Sequence, residues 1–321
     1  MRKSIISVVI IIFIVTITVV AVISSRPWLL SNNKPKFTAE VKALNIALIK
    51  PTFTAAAYHK SFYKFYFVYS SIPLHARKNI TSDLNLLSSP VTNLLTRSSS
   101  ASSILYLTTH MRTPLPNSNT HVLTDEDVDT GSIFLVNGSN KYDILILGHQ
   151  EYVTQREYDN LKRFVSNGGT MILLDGNVFY AQVKYDRNTH TITLVKGHGW
   201  AYNGKSAWKS VRERWANETS EWVGSNYFCF SCNAAFSNNP FHYRHHEEQY
   251  LTNPNDLILL NYNASVSKKE RTTLDPVIAT YELNYQKGKV ISLSIYSDDV
   301  MTNTKFTKYF DSLLLHYAST P

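Results

Sequence analysis

The sequence predicts an α/β protein with a mostly parallel sheet, preceded by one transmembrane helix. Three observations carry that expectation. In residues 141–183 two short apolar runs, 142–147 and 170–174, flank an amphipathic stretch with its own start and stop signals, which is the pattern of a βαβ unit. Near the C-terminus, apolar runs at 276–281 and 289–295 precede a stretch with apolar residues at helical spacing. Residues 5–23 contain no charged residue, a length that at helical rise crosses a bilayer core.

The elements follow in chain order. Arg2 and Lys3 precede the apolar span and Ser24-Ser25 makes a poor cleavage site, so residues 1–24 read as an uncleaved anchor in the cell membrane, with the rest outside the cytoplasm. Residues 25–40, with Pro27 and Pro35, form a linker, and 41–321 form the α/β domain. Sequons at Asn79, Asn137, Asn217 and Asn263 suit an exterior glycoprotein. Residues 44–49 are the first strand, stopped by Pro51, and Tyr58, Phe62, Phe65 and Tyr66 mark a helix over 55–69. The Ser-, Thr- and Asn-rich residues 79–103 read as irregular chain. Strands follow at 103–107 (SILYL) and 121–123 (HVL). Asp125, Glu126, Asp127 and Asp129 come next. They complement a helix dipole, and Asp125 also stands at a strand's carboxyl end.

In the βαβ unit, Thr154 and Glu157 form a T-x-x-E capping box, Tyr158, Leu161, Phe164 and Val165 share one helical face, and Asn167-Gly168-Gly169 ends the helix. Residues 184–250 read as a Trp-rich insertion that opens with an edge strand at 189–195. Trp200, Trp208, Trp215 and Trp222 there line a pocket or build a core of their own. Cys229 and Cys232 form a C-x-x-C ahead of His242, His245 and His246. A disulfide or buried thiols is the ordinary reading outside the cytoplasm, with a zinc set of Cys229, Cys232, His242 and His246 as the alternative. Strands at 256–260, 276–281 and 289–295, the last two joined by the turn 286–288, lead to a closing helix marked by Phe306, Tyr309, Phe310, Leu313, Leu314 and Tyr317.

At 321 residues, 44% hydrophobic and 17% charged, the chain can bury a large core. The net charge of +8 is scattered along it, and a nucleic-acid role would need a concentrated basic face. No cysteine follows a strand of the βαβ core and no G-x-S-x-G is present, so the chain lacks a strand-to-helix nucleophile for acyl transfer.

The site follows from strand geometry. His149, Glu151 and Tyr152 leave the first βαβ strand, Asp175 and Asn177 leave the second, and Asp125 leaves an earlier one. Ligands of open parallel sheets bind outside the carboxyl ends of the strands, so these residues should converge on one rim. There they knit the turns together, bind a ligand, or do acid–base or metal chemistry.

The segments GHQEYVT (148–154), FVSNGG (164–169) and LLDGNVFY (173–180), in this order around a helix, resemble the C-terminal domain of the large (β) subunit of N,N-dimethylformamidase. Val153 stands where that family usually has Trp, and Asp175 where it has Gly. The resemblance implies a flavodoxin-like, class I glutamine-amidotransferase-like three-layer sandwich. It also implies a mononuclear iron held by tyrosinates and a carboxylate, polarising an amide carbonyl or activating water, with Tyr152 as the ligand matched here. Two functions remain open: an extracytoplasmic ligand-binding or structural domain, and a metal-dependent hydrolase of small amide C–N bonds. Iron, a small-molecule ligand, the membrane and a second subunit are the partners at issue.

Overall fold

The computed structural model describes residues 42–58, 81–84, 101–176, 178–197, 214–227, 249–251, 253, 255, 257–261, 278–293 and 303–319. The span 5–23, Asn177, the C-x-x-C with its following histidines, Trp200 and Trp208 lie outside the described residues. Among those described, no helix is long and apolar enough to cross a membrane.

The strands are β1 (Asn45–Lys50), β2 (Thr81–Asp83), β3 (Asn119–Thr124), β4 (Ile144–Leu147), β5 (Tyr152–Val153), β6 (Thr170–Leu173), β7 (Ala181–Asp186), β8 (Thr191–Gly197), β9 (Ser225–Tyr227), β10 (Gln249–Leu251), β11 (Leu257–Asn261), β12 (Ile278–Tyr285) and β13 (Gly288–Ser292). The helices are α1 (Thr52–Tyr58), α2 (Ala101–His110), α3 (Asp125–Asp129), α4 (Gln155–Ser166), α5 (Ala216–Trp222) and α6 (Thr304–Ser319).

The central sheet runs β11-β12-β13-β6-β4-β1-β3, and from β13 to β3 every pairing is parallel. Chain order reverses between β1 and β4, the switch point of a doubly wound sheet. Successive residues of a strand face opposite sides. Ile46, Leu48, Ile144, Ile146 and Ile172 therefore pack with α2 and α6 on one face, while Ala47, Ile49, Leu145, Leu147 and Leu173 pack with α3 and α4 on the other. With both faces covered, the inner strands are continuous apolar runs, as β4 (ILIL) is.

Residues 103–107 are not a strand; they lie inside α2. Ile104, Leu107 and Met111 are buried while Leu105 is exposed, which is helical and not alternating spacing. Helix α4 ends where Gly168 takes φ +106 and the Gly169 amide reaches back to the Phe164 carbonyl. A side chain at Gly169 would overlap the Phe164 ring at 2.2 Å. The two tryptophans described near α5 are core residues. Trp215 stacks on Tyr158 at 4.3 Å, and Trp222 Nε1 donates to the Tyr158 hydroxyl at 2.9 Å, both within the cluster under α4.

A second sheet, β2-β8-β7-β5, is built directly off the carboxyl ends of the parallel strands: β5 begins five residues after β4, and β7 follows the exit of β6. Phe53, Ala56 and Ala57 of α1 pack against Tyr152, Ala181, Val183 and Ile192 of this sheet. Together α1 and the small sheet cover the rim where β1, β4 and β6 end.

Candidate functional site

Beneath that cover lies a buried polar cluster. Lys50 and Pro51 lead from β1 into α1, whose Phe53 amide donates to Asp125 Oδ2 at 2.6 Å. Asp125 opens α3 directly after β3, because Thr124 caps the helix. From the exit of β4, Gln150 Nε2 donates to the Ile49 carbonyl and to Asp125 Oδ1, each at 3.2 Å. One side chain thus ties the ends of β1, β3 and β4 together at the switch point. Next to it, His149 Nδ1 lies 3.1 Å from Asp175 Oδ2 and Nε2 lies 3.3 Å from Glu151 Oε2, bringing in the exit of β6. Both contacts are satisfied at once by a doubly protonated ring, or by a neutral ring with the proton on one carboxyl partner. Asp125, Gln150, Glu151 and Asp175 are wholly buried and His149 is 1% exposed.

The fourth contribution comes from Glu157. Thr154 keeps half of the capping box, its hydroxyl accepting the Glu157 amide at 3.0 Å and donating to Asp129 Oδ1 at 2.5 Å. The other half is missing. The Glu157 carboxyl pairs with Asp125, and the Thr154 amide acts on it only weakly, short of bonding geometry. Burial pushes the Glu157 carboxyl well above the usual range, with Asp125 and Asp129 adding to the rise. Burial likewise raises Asp125 to about 7, opposed by the Phe53 amide and Gln150 and reinforced by Glu126.

Asp125, His149, Glu151 and Asp175 therefore occupy one rim. Asn177, Cys229, Cys232, His242 and His246 lie outside the described residues. Tyr152 is placed differently, its ring in the apolar cluster between α1 and the small sheet. Among the described residues no three His, Cys, Asp or Glu side chains are grouped to hold a metal. Tyr152, the ligand matched to the implied iron, has its ring packed among apolar side chains of α1 and the small sheet. Gln150 and Glu157 are the site residues that the sequence pattern does not mark: Gln150 sits inside the H-Q-E-Y segment, and Glu157 carries the signature of a helix cap.

Residues 21–267 match the family described as N,N-dimethylformamidase beta subunit-like, C-terminal. No curated protein matches the chain. Among solved structures, an exo-beta-1,4-mannosidase from Opitutaceae bacterium strain TAV5 is similar at TM-score 0.36 and 13% identity, over 88% of this chain and 36% of that one. A GH42 beta-galactosidase from G. stearothermophilus gives TM-score 0.36 and 16% identity over 66% and 26%. A cytoplasmic protein from Salmonella typhimurium LT2 gives 0.34 and 10% over 67% and 86%. The chain spans less than two fifths of the length of either glycosidase.

Proposed function

Because the chain belongs to the N,N-dimethylformamidase beta subunit-like, C-terminal family, we propose that it is a membrane-anchored, extracytoplasmic domain with a flavodoxin-like, amidotransferase-like fold that holds a small polar ligand at the strand ends. The anchor rests on the uncharged span 5–23. The exterior placement is consistent with Asn137, an exposed sequon asparagine. The observation that carries the ligand site is the linkage of Asp125, Gln150, His149 and Asp175, from the exits of β3, β4 and β6, into one buried cluster at the switch point. Binding is favoured over turnover because both ring nitrogens of His149 are engaged by carboxylates and no cysteine follows a strand of the βαβ core. The test is calorimetry of the full chain in detergent against small amides and carboxylic acids. Saturable binding that Asp175→Asn abolishes supports the site; heats indistinguishable from buffer for every compound would sink it.

A second reading, hydrolysis of small amide C–N bonds, draws on Asp125, whose pKa near 7 suits a general acid or base at neutral pH. Amine release from simple formamides, lost in Asp125→Asn, would select this reading.

A further inference from the structure

Ligand binding leaves one feature unaccounted for, the contact between Asp125 and Glu157. Both side chains are wholly buried. The Asp125 oxygens are served by the Phe53 amide and Gln150, but neither Glu157 oxygen has a donor among the described residues, and what they meet is the Asp125 carboxyl. Two ionised carboxylates in contact offer only acceptors to one another, so the contact requires a proton on one of them.

Among the described residues, no cation is seen to relieve the pair. On α3 the closest charges are Glu126 and Asp129, both acidic. His190 Nε2 lies 3.7 Å from Glu126 and Arg156 Nη1 lies 3.8 Å from Asp129, so the nearby bases face other carboxylates. α1 presents Thr52 and the Phe53 amide, and the exit of β4 presents Gln150, all neutral. His149 is turned to Glu151 and Asp175.

We propose that Asp125 and Glu157 share one proton and form a pH-sensitive latch that clamps α1, α3 and α4 over the strand ends, closed while the proton is held and loosened when it leaves. The latch stands whether or not a ligand binds beneath it. Its connections are local: Asp125 holds the start of α1 through Phe53, Thr52 donates to Glu126 Oε2 at 2.7 Å, and Glu157 brings in the first turn of α4. Loss of the proton leaves two buried negative charges among acids.

The sign of the effect is fixed by linkage. Both carboxyls have folded-state pKa values above their unfolded values of about 4. The stabilisation is complete below that value, and it is lost as pH rises through the raised folded-state values, about 7 for Asp125 and well above the ordinary glutamate range for Glu157. Within that window one retained proton changes the folding equilibrium by up to about tenfold per pH unit.

The test is denaturant unfolding of the full chain in detergent across this window, with amide exchange at Phe53, in wild type and Glu157→Gln. The latch predicts that wild type loses stability with rising pH more steeply than Glu157→Gln, by up to about tenfold in the equilibrium per unit. It also predicts that Phe53 exchange accelerates with pH more in wild type than in the variant. Equal slopes and equal acceleration would overturn it. Should Glu157→Gln fail to fold, the infrared spectrum of wild type at neutral pH decides: a carboxylic-acid carbonyl band that shifts in Asp125→Asn supports the shared proton, and either no band or a band that Asp125→Asn leaves unchanged overturns it.

Discussion

Helices α3 and α4 begin with the same local chemistry and end up with opposite electrostatics. Thr124 and Asp127 complete a capping box: the Asp127 amide donates to Thr124 Oγ1 at 3.4 Å, and Asp127 Oδ2 accepts the Thr124 amide at 2.9 Å, in a half-buried setting. Thr154 and Glu157 occupy the equivalent positions of α4, yet this acid is wholly buried against Asp125 and completes no second bond to the cap. One acid satisfies its own helix; the other is strained by burial and placed over the switch point. An acid that gives up a cap available to it is therefore a better pointer to a functional rim than acidity itself.

The largest break falls on the site side of this contrast. His149→Ala removes the ring that bridges buried Glu151 and Asp175 and should cost about 3–5 kcal/mol in denaturant unfolding at neutral pH. A loss below about 1 kcal/mol would mean that the rim is wet and open. The two N-caps come next. Thr154→Ala removes a cap and the donor to buried Asp129, for about 2 kcal/mol, whereas Thr124→Ala at the half-buried cap should cost about 1 kcal/mol. Equal losses would erase the distinction between the two turns. The smallest pair of effects differs in sign. Above neutral pH, Glu157→Gln should stabilise the protein by about 1 kcal/mol by removing a buried charge, while Asp127→Asn should destabilise it by about 0.5 kcal/mol. Thermal melts at matched pH check the sign directly.

Much of this architecture was legible in the chain. The runs ILIL and TMIL, separated by a capped amphipathic helix, could pair in parallel only through a crossover, and β4 and β6 do. The rim positions followed from those strands. Residues 103–107 were misread because Ile104 to Leu107 is apolar enough for either element, and only the buried Met111, one turn further on, reveals the helical period. The small sheet was hidden for another reason. β5 is two residues long, and its partner β7 is set by the exit of β6 and not by any periodicity of its own. T-x-x-E specifies the cap at Thr154, which the Glu157 amide does make, but nothing in four residues encodes that Asp125 arrives from about thirty residues upstream.

The central claim, that Glu157 holds a proton against Asp125, is tested most directly by carbon-13 titration of the Glu157 side-chain carboxyl in the full chain. The account predicts that this carboxyl stays protonated at neutral pH and that its transition moves when Asp125 is replaced by Asn. A transition near the ordinary glutamate value of about 4.3, indifferent to Asp125→Asn, would contradict it.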